Sequence, residues 1–223
     1  MIYAPPVFPI LFIAFLVLLA FMVFVIELRI LAYAYRKIGI PPRWVAAILL
    51  LSLLGSHVNI PLSAVPASRL TPPQTIWRFG RAYEVPPPVE PRTTVVALNV
   101  GGALIPMLVS LYLFLRFPLR GRMIIATAIV AVVVHWLAQI VPGVGVAVPM
   151  FLPPLAAAGV ALLLSFRRAP PVAYVAGSMG TLLGADVLNL PRIAELGAPV
   201  VSIGGAGTFD GVFLTGILAG LIA

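Results

Sequence analysis

The chain has no cysteine, and that one absence removes disulfides, thiolate metal sites and a cysteine nucleophile together. Charge is nearly as scarce. Asp, Glu, Lys and Arg make up 9% of the 223 residues, whereas a soluble domain needs roughly 25% to cover its surface. A chain this poor in charge cannot present a water-solvated surface, so its solvent is largely lipid. Acids are the scarcer sign, six against 14 Lys and Arg, for a formal charge of +8. The basic residues are scattered at the ends of apolar runs and do not form a stripe, which argues against a nucleic-acid partner. The first apolar run lacks a basic leader and a small-residue cleavage site and is long for a signal sequence. It therefore reads as a retained helix.

What is present is apolar: 62% of the residues are hydrophobic. Apolar runs separated by Arg or Pro clusters predict an all-α, polytopic transmembrane helix bundle of about seven spans, in a single domain covering residues 1–223. The expected spans are Phe8–Leu28, Trp44–Ile60, Thr94–Leu115, Met123–Val141, Met150–Phe166, Val172–Leu190 and Val201–Ala223. The stretch Pro61–Arg92 is rich in proline, which withholds backbone donors and disfavours helix, so it reads as an external loop. The uncharged connector Pro142–Pro149 reads as irregular, and Pro153-Pro154 as a break in the fifth span.

Orientation follows from the short loops. With the N-terminus outside, the inner loops carry Arg36, Lys37, Arg43, Arg116, Arg120, Arg122, Arg167 and Arg168, while the short outer connectors carry only Arg192. That asymmetry predicts an N-out, C-in protein of the cell membrane. The four arginines of the 61–92 loop weigh against it. The bilayer is the expected partner, with a transmembrane protein as candidate substrate; no cofactor is implied.

Polar residues inside the spans are few: His57, Asn59, Asn99, His135, Gln139, Asp186, Asn189 and Asp210. All fall where a span approaches the same side of the membrane, within roughly 15 Å of its surface at 1.5 Å per residue. A charge at the bilayer centre costs roughly 2.5–3.5 kcal/mol on insertion scales, which makes ionisable residues there functional candidates. Taken singly, Asn59, Gln139 and Asn189 are explained by interfacial water, and His57 or His135 by an interhelical hydrogen bond.

The only two aspartates, Asp186 and Asp210, each sit among glycines: Gly180 and Gly184 before the first, Gly204, Gly205, Gly207 and Gly211 around the second. Small residues four apart let helices approach closely, as do Gly216 and Gly220 further on. The expectation is that spans six and seven bring the two aspartates face to face. Two carboxylates in low dielectric share one proton, so that one activates water while the other protonates a leaving group. The same pair could carry a proton or hold a cation. With His57 and His135 added, the residue types also suit a divalent metal.

Gly184-Ala185-Asp186-Val187-Leu188-Asn189-Leu190 and Ser202 to Gly211, with Asn59-Ile60-Pro61, Asn99-Val100-Gly101-Gly102 and Pro142-Gly143-Val144-Gly145, resemble the signature of an uncharacterised prokaryotic membrane-protein family. The resemblance covers nearly the whole chain and implies no activity. A weaker one is to presenilin-like intramembrane aspartyl proteases, which use an aspartate on one helix and Gly-x-Gly-Asp on the next. Gly207-Thr208-Phe209-Asp210 has that motif's first glycine and its aspartate but not the glycine between. Asp186 lacks the usual preceding tyrosine, and Pro153-Pro154-Leu155, similar to the Pro-Ala-Leu motif and a candidate substrate-binding element, precedes the aspartates instead of following them. This resemblance implies an intramembrane aspartyl protease-like hydrolase with Asp186 and Asp210 as catalytic dyad. The alternatives are a proton- or cation-coupled transporter or channel, and a His/Asp metal site. Ala176-Gly177-Ser178-Met179-Gly180 looks like a serine-nucleophile motif, but Ser178 lies eight residues inward of Asp186 and reads as a packing face. No internal repeat is evident in the sequence.

Overall fold

A computed structural model describes residues 7–65, 74–78, 81–85, 93–141, 145–195, 198–205 and 211–223. Helix dominates it, as the apolar runs predict. The α-helices are α1 (Val7–Ile38), α2 (Pro42–Gly55), α3 (Ile105–Arg116), α4 (Arg120–Leu137), α5 (Leu152–Ser165), α6 (Ala169–Thr181) and α7 (Gly211–Ile222). Three helical stretches are long and apolar enough to cross a membrane: Pro9–Ile38, Arg120–Leu137 and Leu152–Arg192. The last runs through α5, a 3₁₀ turn at Phe166–Arg168 and α6 into a π-helical turn at Leu182–Asp186 and a 3₁₀ segment at Val187–Glu195. Pro42–Gly55, Val100–Arg116 and Gly211–Ile222 are apolar but shorter.

Uniform spans are therefore not what these runs form. The second run is helical only to Gly55 and continues as strand β1 (Asn59–Val65). The third begins as strand β4 (Thr94–Asn99) and passes through a π-helical turn (Val100–Leu104) before becoming α3. The fourth ends at Leu137 and continues as β5 (Gln139–Val141), which pairs with β6 (Gly145–Ala147). The last opens as β7 (Val200–Ile203). Hydropathy registers how apolar a run is, not its shape. Thr94-Val95-Val96 and Val200-Val201-Ser202-Ile203 are β-branched clusters that favour a pleated strand. The loop expected at 61–92 holds the rest of β1 and a hairpin of β2 (Gln74–Arg78) with β3 (Arg81–Val85). Pro153 and Pro154 do not break the fifth run. They occupy the first turn of α5, where a missing N–H costs nothing.

Nearly every residue of α6 is buried, with α4, α5 and α7 packed around it. Residues 9–24 of α1 are exposed, and only its last turns, through Ala34, Tyr35 and Ile38, enter the core. At one end the connections touch. A Cβ on Gly39, after α1, would lie 2.7 Å from the Phe117 ring between α3 and α4. Lys37 Nζ donates to the Leu221 carbonyl at 2.7 Å, and Arg122 to Ser165 Oγ at 3.1 Å. The eight basic residues expected on one side thus share this end with the end of α7.

Candidate functional site

The opposite end is where helix gives way. β1, β4 and β7 form one sheet in that order, β1 antiparallel and β7 parallel to β4. Strands joined this way satisfy each other's backbone, which a chain leaving helix near lipid requires. Asn59 pairs with Asn99 in register, and Val95 to Leu98 with Val200 to Ile203.

Asn99 is the buried hub. Its Oδ1 accepts from the Gly102 amide at 2.7 Å, capping the π-helical turn that opens α3. Its Nδ2 donates to the Ser56 carbonyl at 2.8 Å and to Asn59 Oδ1 at 3.1 Å. Asn59 Oδ1 also accepts from Ser202 Oγ on β7 at 2.6 Å. Two residues further on, the Gly204 amide donates to Asp186 Oδ2 at 2.7 Å. One polar chain therefore runs from Ser56 through Asn99, Asn59 and Ser202 to the turn held by Asp186.

Asp186 ends a π-helical turn, and Asn99 caps another. Such turns misalign the helical ladder and recur at functional sites. Asn189 steadies the one at Asp186: buried, it donates Nδ2 to the Gly184 and Ala185 carbonyls at 3.1 and 2.9 Å. Gly204 and Gly205 have φ of 83° and 80°, the left-handed region that favours glycine. A Cβ on Gly204 would sit 2.6 Å from the Ala103 amide nitrogen, so the Gly204-Gly205 turn rests directly on the Gly101-Gly102-Ala103 turn.

The two segments that meet there are similar in sequence across a two-residue gap. Val95-Val96-Ala97-Leu98, then Gly101-Gly102-Ala103, is answered by Val200-Val201-Ser202-Ile203, then Gly204-Gly205-Ala206. Each copy begins as a strand of one parallel pair and reaches a Gly-Gly turn. In the first copy Asn99 caps its own turn. In the second the acceptor comes from another helix, as Asp186. Aligning the two strings on their Val-Val and Gly-Gly pairs is the signal that would have found Ser202, Gly101 and Gly102 as site residues.

The other expected residues fall as follows. His57 is exposed in the turn after α2, its Nδ1 3.2 Å from the Leu53 carbonyl and 3.3 Å from Ser56 Oγ. His135 is half-buried near the end of α4, and its Nδ1 has no hydrogen-bond partner among the described residues. Gln139 is exposed on β5. Pro153 and Pro154 are buried, and of the three residues suggested for substrate only Leu155 is exposed. Gly207 and Asp210 lie outside the described residues, so the approach of the two aspartates does too. Among the described residues no three His, Asp or Glu side chains come together as a metal site.

The glycines expected to join spans six and seven do different work. Gly180 and Gly184 face α4: a Cβ on the first would lie 2.6 Å from Val130 Cγ1, and on the second would collide with the Ala131 carbonyl. The α6–α7 approach is made by Gly177, where a Cβ would lie 3.3 Å from Gly216 Cα, and by Gly216, where a Cβ would collide with Ser178 Oγ. Gly211 meets nothing within 4 Å. Ser178 is buried on that packing face.

A family model described as a protein of unknown function (DUF1614) matches residues 53–222, from the last turn of α2 to the end of α7. The match spans the sheet, both Gly-Gly turns and Asp186, and leaves α1 outside. No curated protein and no solved structure matches the chain. The chain belongs to the DUF1614 family.

Proposed function

We propose that this DUF1614 protein is a multi-pass protein of the cell membrane, N-out and C-in with about seven crossings, that moves protons or cations through the layer around Asp186. The gathering of basic residues at one end supports the topology. Helix α2 has 14 residues and α7 has 12, whereas a bilayer core of roughly 30 Å takes about 20 residues of helix. Each would complete its crossing in extended backbone, and discontinuous helices meeting at one layer are a transporter's way of building an ion site.

The observation that carries the reading is the bond from the Gly204 amide to Asp186 Oδ2. An ionised carboxylate holds that amide strongly. A proton or cation arriving on Asp186 weakens the hold and frees the Gly204-Gly205 turn to shift against Gly102 and Ala103. Occupancy and conformation are then coupled through one hydrogen bond.

A second reading has its own support. The turn held by Asp186 opens the segment leading to Asp210, six residues beyond Gly204. An aspartyl hydrolase would pair these two carboxyl groups as a dyad sharing one proton. Reconstitution of the full chain separates the two. Transport predicts ion-gradient-driven proton or cation flux into liposomes that falls about tenfold or more in Asp186→Asn, with no cleavage of a helical reporter. Reporter cleavage lost in both Asp186→Asn and Asp210→Asn, without flux, would overturn transport and establish the hydrolase.

A further inference from the structure

The basic end contains a cavity of about 380 Å³ between the start of α4 and the junction of α5 with α6. Arg122, Arg167 and Arg168 line it with buried Ser165, over Leu119 and Leu164. Three arginines line one cavity, and no Asp or Glu occurs in the sequence from Pro91 to Ala185. Their neighbours at the same end are differently engaged. Arg116 lies over the Tyr112 and Phe117 rings at 5.6 and 5.8 Å, and Arg120 over Phe114 at 5.9 Å.

Two further features fit an anion. Helix α4 opens at this cavity with no side-chain cap and no acid in its first turn, so its first amides and positive dipole end add to the field. Arg122 is held in place by Ser165 at 3.1 Å. The volume suits a phosphate-bearing group. Phe166, which also lines the cavity, is 81% exposed and forms an apolar rim where a lipid's acyl chains would begin.

We infer that this cavity binds the phosphate of an anionic phospholipid headgroup in the leaflet facing the basic end. The guanidinium forks pair with phosphate oxygens, the α4 amides complete the cradle, and the rim packs on the glycerol and upper acyl chains. The inference rests on the membrane topology proposed above but not on transport, so loss of flux in Asp186→Asn leaves it untouched.

The test is native mass spectrometry of the delipidated full chain titrated with phosphatidylglycerol, phosphatidylcholine and inorganic phosphate. Saturable phosphatidylglycerol adducts are expected, weakened about tenfold or more by Arg167→Gln with Arg168→Gln, and less than about twofold by the equally charged control Arg116→Gln with Arg120→Gln. Arg122→Lys, which keeps the charge but loses the fork, gives an intermediate loss in a conservative background. Equal losses in both double variants would mean a diffuse basic surface and overturn the site. So would phosphatidylcholine binding as tightly as phosphatidylglycerol. Binding of inorganic phosphate that blocks adducts at equal concentration would assign the cavity to the free anion and overturn the lipid.

Discussion

At the basic end of the bundle helices turn into helices. Three residues separate α3 from α4, and a single 3₁₀ turn separates α5 from α6. At the opposite end α2 stops into a strand, α3 and α7 are preceded by strands, and α6 unwinds through π and 3₁₀ turns. Both ends finish apolar helices, but they meet the backbone's need for partners differently. Short turns among arginines can rely on interfacial water. Extended segments must pair with one another, and where they cross they need glycines. Gly101 at the paired end would collide with the Ser52 carbonyl and the Ser56 amide if it carried a Cβ, whereas Gly121 at the basic end meets nothing within 4 Å. Close approach of backbone to backbone thus marks the end where Asp186 sits.

The strongest way to break this comparison is to fill the glycine contacts. Gly101→Val should cost more than about 4 kcal/mol, read as loss of a monodisperse peak in detergent, because backbone atoms must move. Next, Asn99→Leu removes three hydrogen bonds and leaves buried partners unpaired, a loss of about 2–4 kcal/mol in thermal or denaturant unfolding. Ser202→Ala removes one bond to Asn59 and should cost about 1 kcal/mol in the same assay. Asp186→Asn, which keeps an acceptor for the Gly204 amide, should change stability by less than about 1 kcal/mol while abolishing flux. Smallest is Gly121→Ala at the basic end, within about 0.5 kcal/mol of the parent. If Gly121→Ala proved as damaging as Gly101→Val, the two ends would not differ as described.

The sequence reveals the lipid-solvated, mainly helical character, the basic end and the polar residues of the other. Composition and charge at helix ends are local quantities that hydropathy captures. It does not reveal that Thr94–Asn99 and Val200–Ile203 are paired strands, because pairing joins segments about a hundred residues apart. In the sequence Asn99 is one polar residue near a span end; in the fold it is the hub of the network. Asn189 proved to be a local brace for unwound helix. The spacing of Gly180 and Gly184 marks a close-packing face, and in the fold that face meets α4 and not α7, since spacing along a helix fixes a face and not the helix opposite it.

The claim beneath both proposals is that the two ends face opposite sides of a membrane. The cysteine-free chain allows a direct test with single thiols. His57→Cys is at the exposed paired end, and Gly121→Cys at the exposed basic end. With a membrane-impermeant maleimide on intact cells, His57→Cys should label, and Gly121→Cys only after permeabilisation. The reverse pattern would invert the orientation but keep the two ends apart. Labelling of both positions from the same side would contradict the account.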